Sequence, residues 1–165
     1  MTAATPAYLT RFASPLGRIE ITSDGESITS LAIEREGVLP HEPIAENTAP
    51  VLEKARTQLD EYFAGTRTEF DLPLDVGGTV FQKSVWAELA RVPFGETTSY
   101  GALGVATGRA TAGRAVGGAI GANPVPLLVA CHRVLATNQK ITGYSAGNGV
   151  PTKIWLLDHE GIPHR

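Results

Sequence analysis

The chain has 165 residues, enough for one ordinary domain or two small ones. Its 42% hydrophobic content supports a real core, and its 19% charged content is too low for a disordered chain. The net charge of −3 argues mildly against a nucleic-acid partner, but residues 1–78 carry 6 Lys+Arg against 13 Asp+Glu, a balance of −7, and residues 79–165 carry 8 against 4, a balance of +4. Such asymmetry points to a polyanion for the basic half, although an acidic half is often only a solvated surface.

No apolar run is long enough to span a bilayer. The opening Met1-Thr2-Ala3-Ala4-Thr5-Pro6 lacks the basic-then-apolar pattern of a signal peptide. The single cysteine forms no internal disulfide, so a cytoplasmic setting is expected. One Cys and four scattered His make no plausible zinc site.

In chain order, Tyr8 to Phe12 alternates and predicts a strand. Ser14-Pro15-Leu16-Gly17 is a turn, Arg18 to Thr22 a second strand, Asp24-Gly25 another tight turn, and Ser27 to Ile33 a third strand. Together they predict an antiparallel meander with one face buried. Gly37 to Asn47, with two prolines, is expected as a surface loop. Ala49 to Phe63 has helical apolar spacing through Val51, Leu52, Ala55, Leu59, Tyr62 and Phe63, with Gly65 as its stop. Phe70 to Leu74 is short and extended, and Gly77-Gly78 marks a flexible break. A boundary there gives an N-terminal scaffold, 1–78, and a second domain, 79–165.

Thr79 caps a helix over Val80 to Val92, with Phe81, Val85, Trp86, Leu89 and Ala90 along one face. Ser99 caps a second helix, from Tyr100 to about Thr107, closed by Gly108, and a third runs from about Thr111 to Gly121. Two short helices joined by a glycine-containing turn predict a helix-turn-helix. Gly113, Gly117, Gly118 and Gly121 in the third helix each cost up to about 1 kcal/mol relative to Ala. A helix accepts that where another backbone comes close, either a core neighbour or a sugar-phosphate wall. Val125 to Ala130 is an apolar run that predicts a short buried strand leading into Cys131-His132-Arg133-Val134. Leu135 to Ile141 is loop-like, and the glycine-rich loop Thr142 to Gly149 lacks the Lys-Ser/Thr ending of a nucleotide-binding loop. Pro151 opens the last helix, which gathers Trp155, Leu156 and His159 on one face and carries Glu160 at its end, before Gly161 stops it. The fold class expected is α+β: a small N-terminal antiparallel sheet plus helix, then a mainly helical, winged-helix-like domain.

The only cysteine is therefore set between an apolar run and a histidine-arginine pair. A lone Cys is usually a small inert hydrophobe. A neighbouring imidazole or guanidinium charge can favour its thiolate. A carboxylate that accepts one ring N–H would fix the imidazole's tautomer and free the other nitrogen to take the thiol's proton, directly or through a water. Cys131, His132 and Glu160 are of the types this arrangement needs.

From about Thr79 to Gly161 the chain resembles the O6-alkylguanine-DNA alkyltransferases (methylated-DNA–protein-cysteine methyltransferases). The likeness lies in Phe81-Gln82, Val85-Trp86, Pro93 to Gly101, Arg114-Ala115-Val116-Gly117, Asn123-Pro124, Cys131 to Val134, Gly143-Tyr144-Ser145 and Trp155 to Gly161. Ala130 stands where the family usually has Pro, and the loop before Lys153 looks about two residues longer. The resemblance implies that Cys131 accepts the alkyl group, His132 is the base and Glu160 orients it. It gives Asn123 the bracing of the segment before Cys131. Tyr100 rotates the target phosphate and donates to the departing guanine's N3. Tyr144 and Ser145 cover the flipped base, and the Val134 carbonyl takes its exocyclic amine. Arg114 fills the vacated stack, and Ala115, Gly117, Thr98, Ser99 and Tyr100 face DNA.

The substrate so implied is O6-alkylguanine, and by extension O4-alkylthymine, flipped out of duplex DNA held by its minor groove. Small residues suit a groove about 6 Å wide. The thioether product implies one turnover per molecule, with no cofactor or metal; some relatives carry zinc in the N-terminal region, and this chain lacks the cysteines for it. A monomer is expected, cooperative on DNA in some settings, in the cytoplasm or on the nucleoid of a prokaryote. Two other readings compete. One is a non-enzymatic damage sensor of the alkyltransferase-like kind, which lacks the thiol. The other is a cysteine hydrolase, which would turn over and have no use for Arg114.

Overall fold

A computed structural model describes residues 5–109 and 113–165. It forms two compact units, Met1–Gly77 and Gly78–Arg165. No described helix is long and apolar enough to cross a membrane.

In the first unit β1 (Tyr8–Ser14), β2 (Gly17–Ser23) and β3 (Ile28–Ile33) form an antiparallel meander in that order. The β1–β2 turn needs a left-handed residue, supplied by Gly17 at φ +102°. Asp24 closes the second turn by accepting from the N–H groups of Glu26 and Ser27. Alternation puts Phe12, Ile19, Ile21, Leu31 and Ile33 on one face, and α1 (Pro50–Phe63) packs against β1 and β2.

The other face is buried as well, which the sequence did not predict. It carries Leu9, Glu20 and Thr22, all nearly inaccessible, and Arg11, which pairs with Glu20 at 3.1 Å. Arg11 also donates to the carbonyls of His41 and Ile44, and Asn47 exchanges two backbone hydrogen bonds with Leu9. The segment expected as a free surface loop is thus a cover, tied down by Arg11 and by Arg18, which donates to Gly37 O and pairs with Glu42. Its Leu39 is buried.

The second unit begins at α2 (Val80–Leu89), where Thr79 and Gln82 form a reciprocal capping box. The two-residue strand β4 (Thr98–Ser99) leads into α3 (Tyr100–Ala106), whose N-cap is the Ser99 hydroxyl. The next helix, α4 (Gly113–Gly121), packs on α2 and α3. Its expected start, Thr111, lies outside the described residues. Trp86 Nε1 donates to the Ala119 carbonyl at 2.7 Å and pins α2 to α4. A buried bond of this kind contributes about 1 kcal/mol.

The strand expected over 125–130 is absent. Asn123 closes the segment into a turn instead: its Nδ2 donates to Val129 O at 2.8 Å and its Oδ1 accepts from Val125 N at 3.0 Å. Val129 N donates back to Val125 O, and buried Leu127 takes φ +74°. A bulky residue in that region marks a backbone held under strain by its surroundings. A 3₁₀ turn over Cys131–Arg133 follows, then β5 (Val134–Leu135), which pairs in parallel with β4.

The last helix, α5 (Val150–His159), ends in a Schellman motif. Gly161, at φ +70°, donates to Asp158 O, and Ile162 N donates to Leu157 O at 2.9 Å. The stop holds Glu160 as the C-cap, buried against the second unit's interior.

Candidate active site

Glu160 is the hub. Its Oε2 lies 2.5 Å from His132 Nε2 and accepts from Arg133 Nη2 at 3.1 Å. Its Oε1 accepts from Arg133 Nε at 2.8 Å and from Gly95 N at 3.1 Å. Gly95 sits at φ +82°, which lets the chain turn its N–H toward the carboxylate. Four donors therefore converge on two oxygens, matching the lone pairs a carboxylate offers.

With Nε2 bound to Glu160, His132 keeps Nδ1 for chemistry. That atom is fully buried and has no hydrogen-bond partner among the described residues. Burial pushes the imidazole's pKa down, against an opposing pull from Glu160, so the ring rests neutral. A neutral ring with one nitrogen fixed and the other open is a general base at rest.

Cys131 is 2% exposed, and it lines a cavity of about 280 Å³ together with Tyr100, Gly117, Ile120, Tyr144, Ser145 and Lys153. Burial pushes the thiol's pKa up, while polar contacts from Asn123 and Tyr144 and the charge on Lys153 pull it down. The sequence expectation that an adjacent cation would favour the thiolate needs correcting in one respect. The Arg133 guanidinium is committed to Glu160 and to Val92 O, so it does not serve the sulfur. The cation that does is Lys153. It is 1% exposed, and its Nζ donates to Val134 O at 2.7 Å and Gly143 O at 3.2 Å. Burial lowers the Lys153 pKa, and Cys131 partly offsets that.

The remaining expected residues fall as follows. Tyr100 lines the cavity, and its hydroxyl lies 2.6 Å from Thr142 Oγ1. Tyr144 and Ser145 line it too, and the Ser145 hydroxyl donates to Gly121 O, linking the glycine-rich loop to α4. The Val134 carbonyl already holds Lys153, which leaves its second lone pair. Thr98 is half-buried in its pairing with Val134, and the half-buried Ser99 hydroxyl is a helix cap. Arg114 is exposed, with no hydrogen-bond or salt-bridge partner among the described residues, and Ala115 beside it is half-buried. Trp155 and His159 stack on each other, ring centroids 4.8 Å apart, beside the buried α5 face of Thr152, Lys153, Leu156 and Leu157.

The four α4 glycines decide between two readings of that helix. A Cβ built on Gly113, Gly117, Gly118 or Gly121 meets no atom of the described residues within 4 Å. Tight packing on a core neighbour is excluded as their reason, and the helix presents a smooth, open surface beside the cavity.

Sequence reasoning missed Lys153 and the Arg133–Glu160 pair. Lys153 did leave a signal, because it stands three and four residues before Leu156 and Leu157, on the buried stripe of α5. The pairing of Arg133 with a residue 27 positions away left none.

A mainly helical unit with a helix-turn-helix, a carboxylate-paired histidine and a cavity-lining thiol beside it has the parts of a DNA-binding protein with a nucleophilic sulfur. The comparisons specify which. Residues 80–162 match the family described as 6-O-methylguanine DNA methyltransferase, DNA binding domain, and residues 7–76 match its ribonuclease-like domain. The methylated-DNA–protein-cysteine methyltransferase of Haemophilus influenzae is 39% identical over 162 residues, 97% of this chain and 89% of the relative. The constitutive enzyme of Bacillus subtilis is 41% identical over 162 residues, 96% and 98% of the two chains. The crystal structure of Mycobacterium tuberculosis OGT in complex with DNA superposes with a TM-score of 0.84 at 38% identity, covering 94% of this chain and 93% of that one. The chain belongs to the O6-alkylguanine-DNA alkyltransferase family.

Proposed function

We propose that this protein repairs O6-alkylguanine in duplex DNA by direct reversal, taking the alkyl group onto Cys131 in a single turnover. The observation that carries the reading is the His132 ring, bound to Glu160 through Nε2 with an open, buried Nδ1 in the residue next to a cavity-lining thiol. His132 Nδ1 takes the thiol proton, directly or through one water. Lys153 and the polar contacts offset part of the cost of a buried thiolate. The sulfur attacks the alkyl carbon, the S–C bond forms and the C–O6 bond breaks. The electron pair returns to guanine, which accepts a hydrogen bond at N3 from Tyr100 as it leaves. The thioether is inert to water, and the proposed site supplies no group that removes the alkyl, so the protein is spent.

The carbon lies inside the base stack, so the nucleotide has to be flipped at a cost of a few kcal/mol. Arg114, exposed and unengaged among the described residues, fills the gap from the minor groove, with the open glycine face of α4 against the sugar-phosphate wall. Ala115, Gly117, Thr98, Ser99 and Tyr100 flank that contact, and Asn123 braces the turn before the thiol. Tyr144, Ser145 and the free lone pair of Val134 O hold the base. O4-alkylthymine presents the same reactive carbon on a smaller ring and is accepted too. In a prokaryotic cell the damaged chromosome is the substrate, so the protein is expected to act in the cytoplasm, on the nucleoid. No resident metal or cofactor is invoked.

The test is Arg114→Ala, assayed on duplex O6-methylguanine and on free O6-benzylguanine. Repair of the duplex should slow on the order of tenfold or more, while the free base, which needs no flipping, reacts as before. Equal loss on both substrates contradicts the finger role. A damage sensor would bind the duplex and leave Cys131 unmodified, and a hydrolase would release product repeatedly.

A further inference from the structure

The Tyr100 hydroxyl is 2.6 Å from the Thr142 hydroxyl, across 42 residues of sequence. We infer that Thr142 is a positioning residue for alkyl transfer, whose hydroxyl donates to the Tyr100 oxygen and so aims the phenol's own proton into the cavity. The inference rests on the reading of Tyr100 as the donor to the departing base.

Thr142 is held in place from both sides. Ile141 N donates to Arg165 O at 3.0 Å, and Gly143 O accepts from Lys153 Nζ. Its hydroxyl is therefore a fixed partner for Tyr100, although the residue itself is exposed.

Two hydroxyls at this distance have two ways to share a hydrogen. If Tyr100 donates to Thr142, the phenol has only lone pairs left for the cavity and cannot serve a leaving base. If Thr142 donates to Tyr100, the phenol proton is free to turn inward. A base arriving with an acceptor atom selects the second arrangement. As the C–O6 bond breaks, negative charge grows on the base, the phenol donates more strongly, and its oxygen becomes a better acceptor for Thr142. Chained hydrogen bonds strengthen one another in this way. The Thr142 bond is thus worth more in the transition state than in the bound ground state, and that difference speeds the chemical step without tightening binding. No proton leaves Thr142: the step needs only that its O–H remain directed at the Tyr100 oxygen.

Thr142→Val keeps the shape and removes the hydroxyl, whereas Thr142→Ser keeps the hydroxyl. Single-turnover transfer from duplex O6-methylguanine is followed for both variants, for Tyr100→Phe and for the Tyr100→Phe/Thr142→Val double variant, at saturating DNA and with DNA affinity measured separately. Thr142→Val should slow the saturated rate about tenfold, the size of one hydrogen bond that strengthens as charge develops. Its DNA affinity should be unchanged. Thr142→Ser should transfer within about twofold of the wild type, since the hydroxyl is kept. In the Tyr100→Phe background the valine should cause no further loss. Wild-type transfer by Thr142→Val, with Tyr100→Phe slow, overturns this inference and leaves the proposed function standing. An independent, additive loss in the double variant also overturns it. Wild-type transfer by Tyr100→Phe removes the donor role itself, and this inference with it.

Discussion

Glu160→Gln is the sharpest perturbation the site allows. The carboxylate accepts from His132 Nε2, from Arg133 through Nε and Nη2, and from Gly95 N. Glutamine replaces one of the two oxygens with an NH₂ donor. If the NH₂ faces the Oε2 side, it confronts the Arg133 Nη2 donor, and His132 must adopt the other tautomer to accept from it. That tautomer puts a hydrogen on Nδ1 and abolishes the base. If the NH₂ faces the Oε1 side, it confronts two donors that cannot reverse, Arg133 Nε and Gly95 N, so the Oε2-side orientation, with one such clash, is favoured. Either way the Arg133 guanidinium, 7% exposed, loses its counter-charge. Breaking a buried pair by neutralising one partner costs about 3–5 kcal/mol. Loss of a general base costs about 10²- to 10⁴-fold in rate. Urea unfolding should read the first loss. Single-turnover transfer from duplex O6-methylguanine, measured on the folded baseline, should read the second, with DNA affinity retained. Wild-type transfer by folded Glu160→Gln would refute the reasoning, because nothing else in the site fixes the imidazole.

Three further outcomes follow from single residues. Ala130 has φ −80° and its N–H donates no hydrogen bond among the described residues, so its backbone accepts proline; Ala130→Pro should raise stability by about 0.4–1 kcal/mol, read as a higher Tm. Gly118 is exposed with no neighbour within 4 Å of a Cβ, so Gly118→Leu should raise stability by about 0.8 kcal/mol yet weaken duplex binding in a titration; unchanged binding would remove α4 from the interface. The His132 pKa lies below the ordinary 6.5, so transfer should hold its rate as pH falls to that value and decline only below it. Stability should fall over the same range, because the unfolded imidazole takes up a proton that the folded one refuses. An inflection in the rate above pH 6.5 assigned to His132 would contradict the buried neutral ring.

Local signals made much of this molecule readable. Thr79 announced α2 because an N-cap stands directly before the helix it opens, and Gly161 announced the end of α5 in the same way. The trio of Cys131, His132 and Glu160 was legible as residue types with a chemistry in common. Features that depend on distant partners were not. Val125 to Ala130 has the apolar content of a strand, but one asparagine side chain bonds both ends of the segment and makes it a turn. The segment around Leu39 and Asn47 looked like solvated loop, and Arg11 drew it over the sheet. A cation beside the thiol was the right idea with the wrong residue. Arg133 follows Cys131 closely in sequence, but Glu160 takes its fork, and Lys153 reaches the site from another helix.

The central claim is that one sulfur takes one alkyl group and keeps it. The most direct measurement titrates the protein with duplex DNA carrying O6-methylguanine, digests it, and weighs the peptide containing Cys131. The account predicts a single added methyl on Cys131, rising in one-to-one proportion with restored guanine and stopping when the protein is used up. Restored guanine exceeding the protein present, or tight DNA binding with an unmodified Cys131 peptide, would contradict it.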